Sequence, residues 1–155
     1  RLVERVATFP VKTAIGELTG YAYTTPFDPV QHFAFVYGTI GDGKDVMTRL
    51  HRADILGDVF ASSDVIPKTL ARFKQEGRGV LVYLRDGTAG VPVKLAAQPE
   101  DSEAQRTQQW REVGLGAQIL RELGLSSIRL LTSSKSKYVG ISGFGIEITS
   151  IEPVG

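Results

Sequence analysis

The 155-residue chain contains no cysteine. That absence excludes disulfides, thiolate metal sites and cysteine nucleophiles together. Histidine is scarce as well: His32 and His51 are the only two. They are far apart in sequence, a poor starting set for zinc. Charge of one sign is lacking, since 18 Lys+Arg against 17 Asp+Glu leave a formal +1. Such a balance gives no general pull toward nucleic acid or an anionic membrane. No apolar run approaches the ~20 residues that a bilayer requires. No basic start with a long apolar stretch marks a secretory leader. The expected place is therefore cytoplasmic, with neither nucleic acid nor membrane as partner.

What is present is an ordinary globular composition. The hydrophobic share of 42% excludes disorder and permits a real core. The length argues for one domain. The opening Arg1 to Ala7 mixes charged and apolar residues and reads as the end of a helix that began earlier. Strand patterns follow at Glu17–Tyr23, at His32–Tyr37 and at Val46–Leu50, with Asp42-Gly43 as a hairpin-type turn. A helix is expected next, capped by Ser62, Ser63 or Asp64, with Pro67 in its first turn and Gly77 at its end. Val80–Leu84 is a continuous β-prone run. Arg85–Val93 reads as a loop and Pro99–Gln109 as polar and exposed. Leu115, Ile119, Leu120 and Leu123 form an apolar stripe at helical spacing, closed by Gly124. Ile128–Leu131 is a short strand, Thr132–Lys137 a Ser/Lys loop, Tyr138–Gly143 a short helix and Ile146–Ile151 a last strand. The fold class expected is α/β with a mixed sheet, leaning to α+β.

Few residues offer chemistry on their own. His32 sits inside an apolar strand and reads as a satisfied core histidine. Asp54, Asp58 and Asp64 could hold Mg²⁺ or simply cap helices. Arg85 to Gly90 follows a strand but does not match a phosphate-loop pattern. Thr132 to Lys137 offers hydroxyls and two cations after a strand, which fits an anion site and equally a solvated loop. Trp110 reads as a core anchor rather than a base-stacking platform.

At Arg49-Leu50-His51-Arg52-Ala53-Asp54-Ile55-Leu56-Gly57-Asp58-Val59-Phe60 the sequence resembles GTP cyclohydrolase II, which opens the imidazole ring of GTP at the start of riboflavin synthesis. The family pattern there is R-V-H-S-E-C-L-T-G-D-V-F. Glu76 to Arg85 is similar to E-G-R-G-V-L-L-Y-L-R. Gly114 to Leu120 is similar to G-I-G-A-Q-I-L, and Arg129 to Thr132 matches R-L-L-T. The resemblance implies the family's single-domain fold over residues 11–155. It also implies that residues 1–10 are a linker remnant, because Arg1 to Ala7 resembles the junction after dihydroxybutanone phosphate synthase in fused riboflavin proteins. An upstream synthase domain is thus an expected partner, as is a second copy in a homodimer.

The family's chemistry is not fully carried. Three cysteines hold its zinc; here Asp54 stands at the first position and the C-D-C segment is shortened into Ala61 to Pro67. The glutamate that touches guanine is Ala53. The phosphate-contacting E-G-R loop has become Asp86 to Ala89. The catalytic acid is Gln109, which cannot serve as a base. Arg111 matches the arginine proposed to attack the α-phosphate, and Arg49, Thr132 and Lys137 match nucleotide-contacting positions around one cleft. Zinc lowers the pKa of bound water from 15.7 to about 7, so its loss is costly to hydrolysis. The expectation is a degenerate domain without zinc, Mg²⁺ remaining open, that binds a nucleotide or phosphate and serves dimerisation or regulation. The alternative is an active cyclohydrolase or nucleotide hydrolase that releases formate and pyrophosphate from GTP.

Overall fold

The computed structural model describes residues 3–26, 28–60, 62–85, 103–133 and 139–155. Among them lies one seven-stranded mixed sheet. The strands are β1 (Glu4–Thr13), β2 (Gly16–Thr25), β3 (Asp28–Tyr37), β4 (Val46–Arg52), β5 (Gly79–Leu84), β6 (Ser127–Thr132) and β7 (Glu147–Pro153). The helices are α1 (Ile55–Asp58), α2 (Val65–Glu76) and α3 (Glu103–Glu122), with a 3₁₀ turn at Val139–Phe144. The spatial order is β1-β2-β3-β5-β4-β6-β7. β1, β2, β3 and β5 pair antiparallel in turn, whereas β5, β4, β6 and β7 run parallel.

Period-2 alternation divides the sheet into two apolar faces. On one, Val46, Leu50, Val80, Val82, Leu84, Ile128 and Leu130 meet Val113, Ala117, Ile119 and Leu120 of α3. On the other, Met47, Leu81 and Leu131 meet Phe73 of α2, with Val65, Ile66 and Leu70 beside it. β3 shows the rule clearly. His32, Ala34 and Val36 are buried, and Phe33, Phe35 and Tyr37 between them are half-buried. The Phe73 ring lies flat against Gly79, where an added Cβ would come within 2.2 Å of Cδ1. The strand therefore starts on glycine because the helix aromatic occupies the space a side chain would need.

Two expectations need correction. The stretch through Ala7 read as a helix end is strand from Glu4, where β1 begins and pairs with β2 along its length. Residues 4–10 of the presumed linker thus belong to the sheet. β1 is an edge strand whose first five residues are exposed, so burial imposes little apolar alternation on its sequence. Asp42-Gly43 is a turn but not a hairpin, because β5 separates β3 from β4. A β-α-β crossover inserts β5 there, and local turn chemistry cannot reveal such a partner exchange. The start of α2 falls where the sequence puts it: Asp64 occupies the N-cap, without a side-chain cap bond. Ser63 Oγ accepts the Val65 N–H instead, at 3.3 Å, while Asp64 pairs with Lys68 one turn on, at 3.1 Å. Gly77 ends α2 at φ 89°, as expected.

Ion pairs tie helices to sheet edges. Tyr23 donates its hydroxyl to Glu122 Oε1 at 2.6 Å, and Arg5 pairs with the same oxygen at 2.8 Å. That contact holds the end of α3 to β1 and β2. On the opposite face Glu152 of β7 receives Arg129 at 2.9 Å and Arg72 of α2 at 2.6 Å. Arg129 also reaches Glu76 of α2 at 2.9 Å.

The Arg129 guanidinium, with Ser150 and Arg72, pushes the Glu152 carboxyl down to about 2. A depressed carboxylate stabilises the fold above its ordinary titration range, and that stability is lost as pH falls through the folded value. Glu152→Gln should therefore cost about 1–2 kcal/mol at pH 7 and flatten the loss of stability between pH 4.5 and 2. Urea unfolding across that range checks both. Phe73→Ala, which empties a fully buried site, should cost about 3–5 kcal/mol.

Candidate ligand site at the strand ends

β4, β5 and β6 run parallel, so their C-terminal ends lie together at one rim of the sheet. Open α/β sheets bind ligands outside such ends. Here the rim carries a chain of polar groups, Arg49 and His51 buried and Tyr83 and Asp58 half-buried. Arg49 and His51 of β4 and Tyr83 of β5 share the α2 face by alternation, and Asp58 closes α1 just beyond. Arg49 Nε donates to His51 Nδ1 at 3.2 Å. His51 Nε2 lies 2.9 Å from Asp58 Oδ1 and 3.0 Å from Oδ2. Tyr83 donates its hydroxyl to Oδ2 at 2.8 Å, and the Asp54 backbone N–H donates to the same oxygen at 3.1 Å. The His51 and Tyr83 rings stack at 5.6 Å and 17°.

This chain of contacts fixes a protonation state. A guanidinium N–H can only donate, so His51 Nδ1 must accept and its proton sits on Nε2. Burial pushes the His51 pKa down, Asp58 pulls it back up, and the Arg49 charge lowers it again; the net direction is down. Burial and the Asp58 carboxylate push the Tyr83 hydroxyl up. His51 is thus a neutral bridge between a cation and an anion. With Nδ1 already engaged it is badly placed to act as a general base.

Of the other expected site residues, Thr132 and Arg111 lie among the described residues. Thr132 ends β6 and is buried, but alternation puts it on the α3 face, opposite Arg49. Arg111 is exposed on α3. Its neighbour Glu112 pairs with Arg52 of β4. A ligand that reaches both Arg49 and Thr132 must therefore sit over the strand ends rather than on one face. Lys137 lies outside the described residues, as do Ala61, the Asp86 to Ala89 loop and the side chains of Gln109 and Trp110. Ala53 is buried, and its N–H donates to Leu84 O at 2.7 Å. His32 is a buried core histidine whose Nδ1 accepts the Arg85 N–H at 3.0 Å. The sequence reading missed the link from Arg49 to Asp58. The i, i+2 spacing of Arg49 and His51 on one strand face was its visible signal.

The sequence profile of GTP cyclohydrolase II matches residues 4–153. The chain belongs to the GTP cyclohydrolase II family. Similar proteins carry riboflavin names. The chloroplastic bifunctional riboflavin biosynthesis protein RIBA 1 of Arabidopsis thaliana is 35% identical, over 99% of this chain and 32% of its own length. The monofunctional riboflavin biosynthesis protein RIBA 2 of the same plant is 34% identical, over 99% and 34%. Among solved structures, RibBX of A. baumannii matches with a TM-score of 0.63 and 26% identity, over 97% of this chain and 41% of that one. It is described as a two-domain 3,4-dihydroxy-2-butanone 4-phosphate synthase. The chain spans 32–41% of the length of these relatives.

The resemblance implies zinc, and the donors at this rim do not fit it. Zinc sites of this kind need thiolates or several histidines, and the chain has no cysteine. Asp58 already accepts from His51, Tyr83 and Asp54, and both His51 nitrogens are engaged. Among the described residues no group of three His, Asp or Glu side chains is arranged to hold a metal ion. The same bonds occupy the Asp58 oxygens that the Mg²⁺ reading would use.

The lowered His51 pKa makes a test of this arrangement. The unfolded chain takes up the histidine proton first as pH falls below about 6.5. Folding stability should therefore fall between pH 7.5 and 5.5, and His51→Gln should reduce that slope. Denaturant melts at the two pH values measure it, and an unchanged slope in the variant would contradict the neutral bridge.

Proposed function

We propose that this domain no longer opens the ring of GTP. It binds a phosphate or nucleotide at the strand ends and serves as a dimerising or regulatory module beside a dihydroxybutanone phosphate synthase domain. The observation that carries this reading is the Asp54–Asp58 turn of helix, α1 with its N-cap. Asp54 stands at the family's first zinc-cysteine position, and Asp58 is committed to three hydrogen-bond donors. Without a metal-bound water, attack on the purine must rely on bulk water, whose pKa near 15.7 makes a poor nucleophile at neutral pH. Ala53 supplies no carboxylate to read guanine, so base selectivity should be poor.

The relatives support the context. One carries "bifunctional" in its name and another "monofunctional". RibBX, which shares this fold, is described by its synthase activity alone. A synthase domain alongside, a homodimer and a cytoplasmic setting all belong to this proposal; the plant relatives are named chloroplastic. Among the described residues no helix is long and apolar enough to cross a membrane.

Anion binding rests on Arg49, Thr132, Lys137 and Arg111, with Arg111 idle as a nucleophile. Guanidinium forks suit phosphate best. Calorimetry with GTP and with pyrophosphate should show weak binding of both, with little preference for the guanine nucleotide. Raised salt should weaken it several-fold and Arg49→Gln about tenfold. Formate release from GTP should stay at background with or without added zinc. Enzyme-like formate release would instead establish the active cyclohydrolase.

A further inference from the structure

The chain of contacts from Arg49 to Asp58 has a direction. Asp58 is half-buried with its side chain only 9% exposed, and it takes the Nε2 proton of His51, whose side chain is 7% exposed. An imidazole that donates from Nε2 presents a lone pair at Nδ1. That lone pair holds Arg49 Nε at 3.2 Å. The opposite tautomer would set N–H against N–H and push the guanidinium away. Tyr83 reinforces the choice twice, by stacking on the imidazole and by donating to Asp58 Oδ2. The Asp54 N–H donates to that oxygen as well, so the backbone at the start of α1 pins the carboxylate. Arg49 is 8% exposed, and a buried guanidinium held through Nε keeps its planar fork in one orientation.

We propose that Asp58 is a positioning residue for the anion site: through the tautomer of His51 it sets the orientation in which the Arg49 guanidinium meets a phosphate. This rests on the phosphate-binding reading above and adds the control of its cation. The charges are arranged for the task. A neutral imidazole stands between the Asp58 carboxylate and Arg49 Nε, so the contact reaches the guanidinium through the ring and not directly. Positioned cations bind better than mobile ones because less side-chain freedom is lost on binding.

The test uses the 155-residue chain with ¹⁵N-labelled histidine and pyrophosphate as the probe. With only two histidines, a His51→Gln spectrum assigns both. Wild type should show His51 as the neutral Nε2–H tautomer. Asp58→Asn offers an amide that donates as well as accepts, and should mix the tautomers. It should also weaken pyrophosphate about tenfold, close to the loss in Arg49→Gln, and the double variant should be no weaker than Arg49→Gln alone. Glu152→Gln, which removes the β7 contacts to Arg72 of α2 and to Arg129, should lower stability while leaving the His51 signals and the affinity in place. If Asp58→Asn fails to fold, the wild-type tautomer and its response to Arg49→Gln still decide. A wild-type Nδ1–H tautomer overturns the inference, as does a His51 nitrogen spectrum that Arg49→Gln leaves unchanged. A folded Asp58→Asn that binds pyrophosphate like wild type, or whose loss adds to that of Arg49→Gln, overturns the inference and leaves the anion site standing. Absence of pyrophosphate binding by wild type overturns the anion site and this inference together.

Discussion

A carboxylate largely withdrawn from water must be surrounded by donors, and Asp58, its side chain 9% exposed, is. His51, Tyr83 and the Asp54 amide reach it from β4, β5 and the start of α1. Leaving such a group short of a donor costs at least ~1–3 kcal/mol, more when it is charged. The requirement therefore fixes the end of β4, the entry into α1 and the ring plane of His51 together. In a family whose zinc ligand would begin at residue 54, this loop is closed by hydrogen bonds instead.

Topology brings these groups to one place. β5 lies between β3 and β4, so Tyr83 sits directly across from His51 in the parallel register. β6 flanks β4 on the other side, and Thr132 extends past the last β4–β6 pair at Thr48 and Leu130. The strand ends thus gather residues far apart in sequence. Alternation still keeps Arg49 and Thr132 on opposite faces, which directs any shared ligand to the rim itself.

Much of this was legible in the sequence for physical reasons. β3 alternates buried and half-buried residues, β5 is a continuous apolar run, and α2 and α3 end beside glycines at positive φ, Gly77 and Gly124. Each is a local pattern imposed by burial or by backbone conformation. β1 was not legible, because an exposed edge strand carries little apolar pattern. The insertion of β5 was hidden because pairing across a crossover leaves no mark in the turn. At the site, the missing thiolates were plain from composition, and His32 was legible as a core residue from its apolar strand. The roles of Asp54 and Asp58 were not. An aspartate that caps a helix, one that binds magnesium and one that fixes a histidine look alike until their neighbours are placed.

The central claim is that hydrogen bonds have replaced a metal at this rim. Competition for zinc between the purified chain and a chromophoric chelator of micromolar affinity tests it most directly. The account predicts that the chelator keeps its zinc, and that Asp54→Ala changes nothing. Transfer of one equivalent of zinc per chain, abolished by Asp54→Ala, would contradict it.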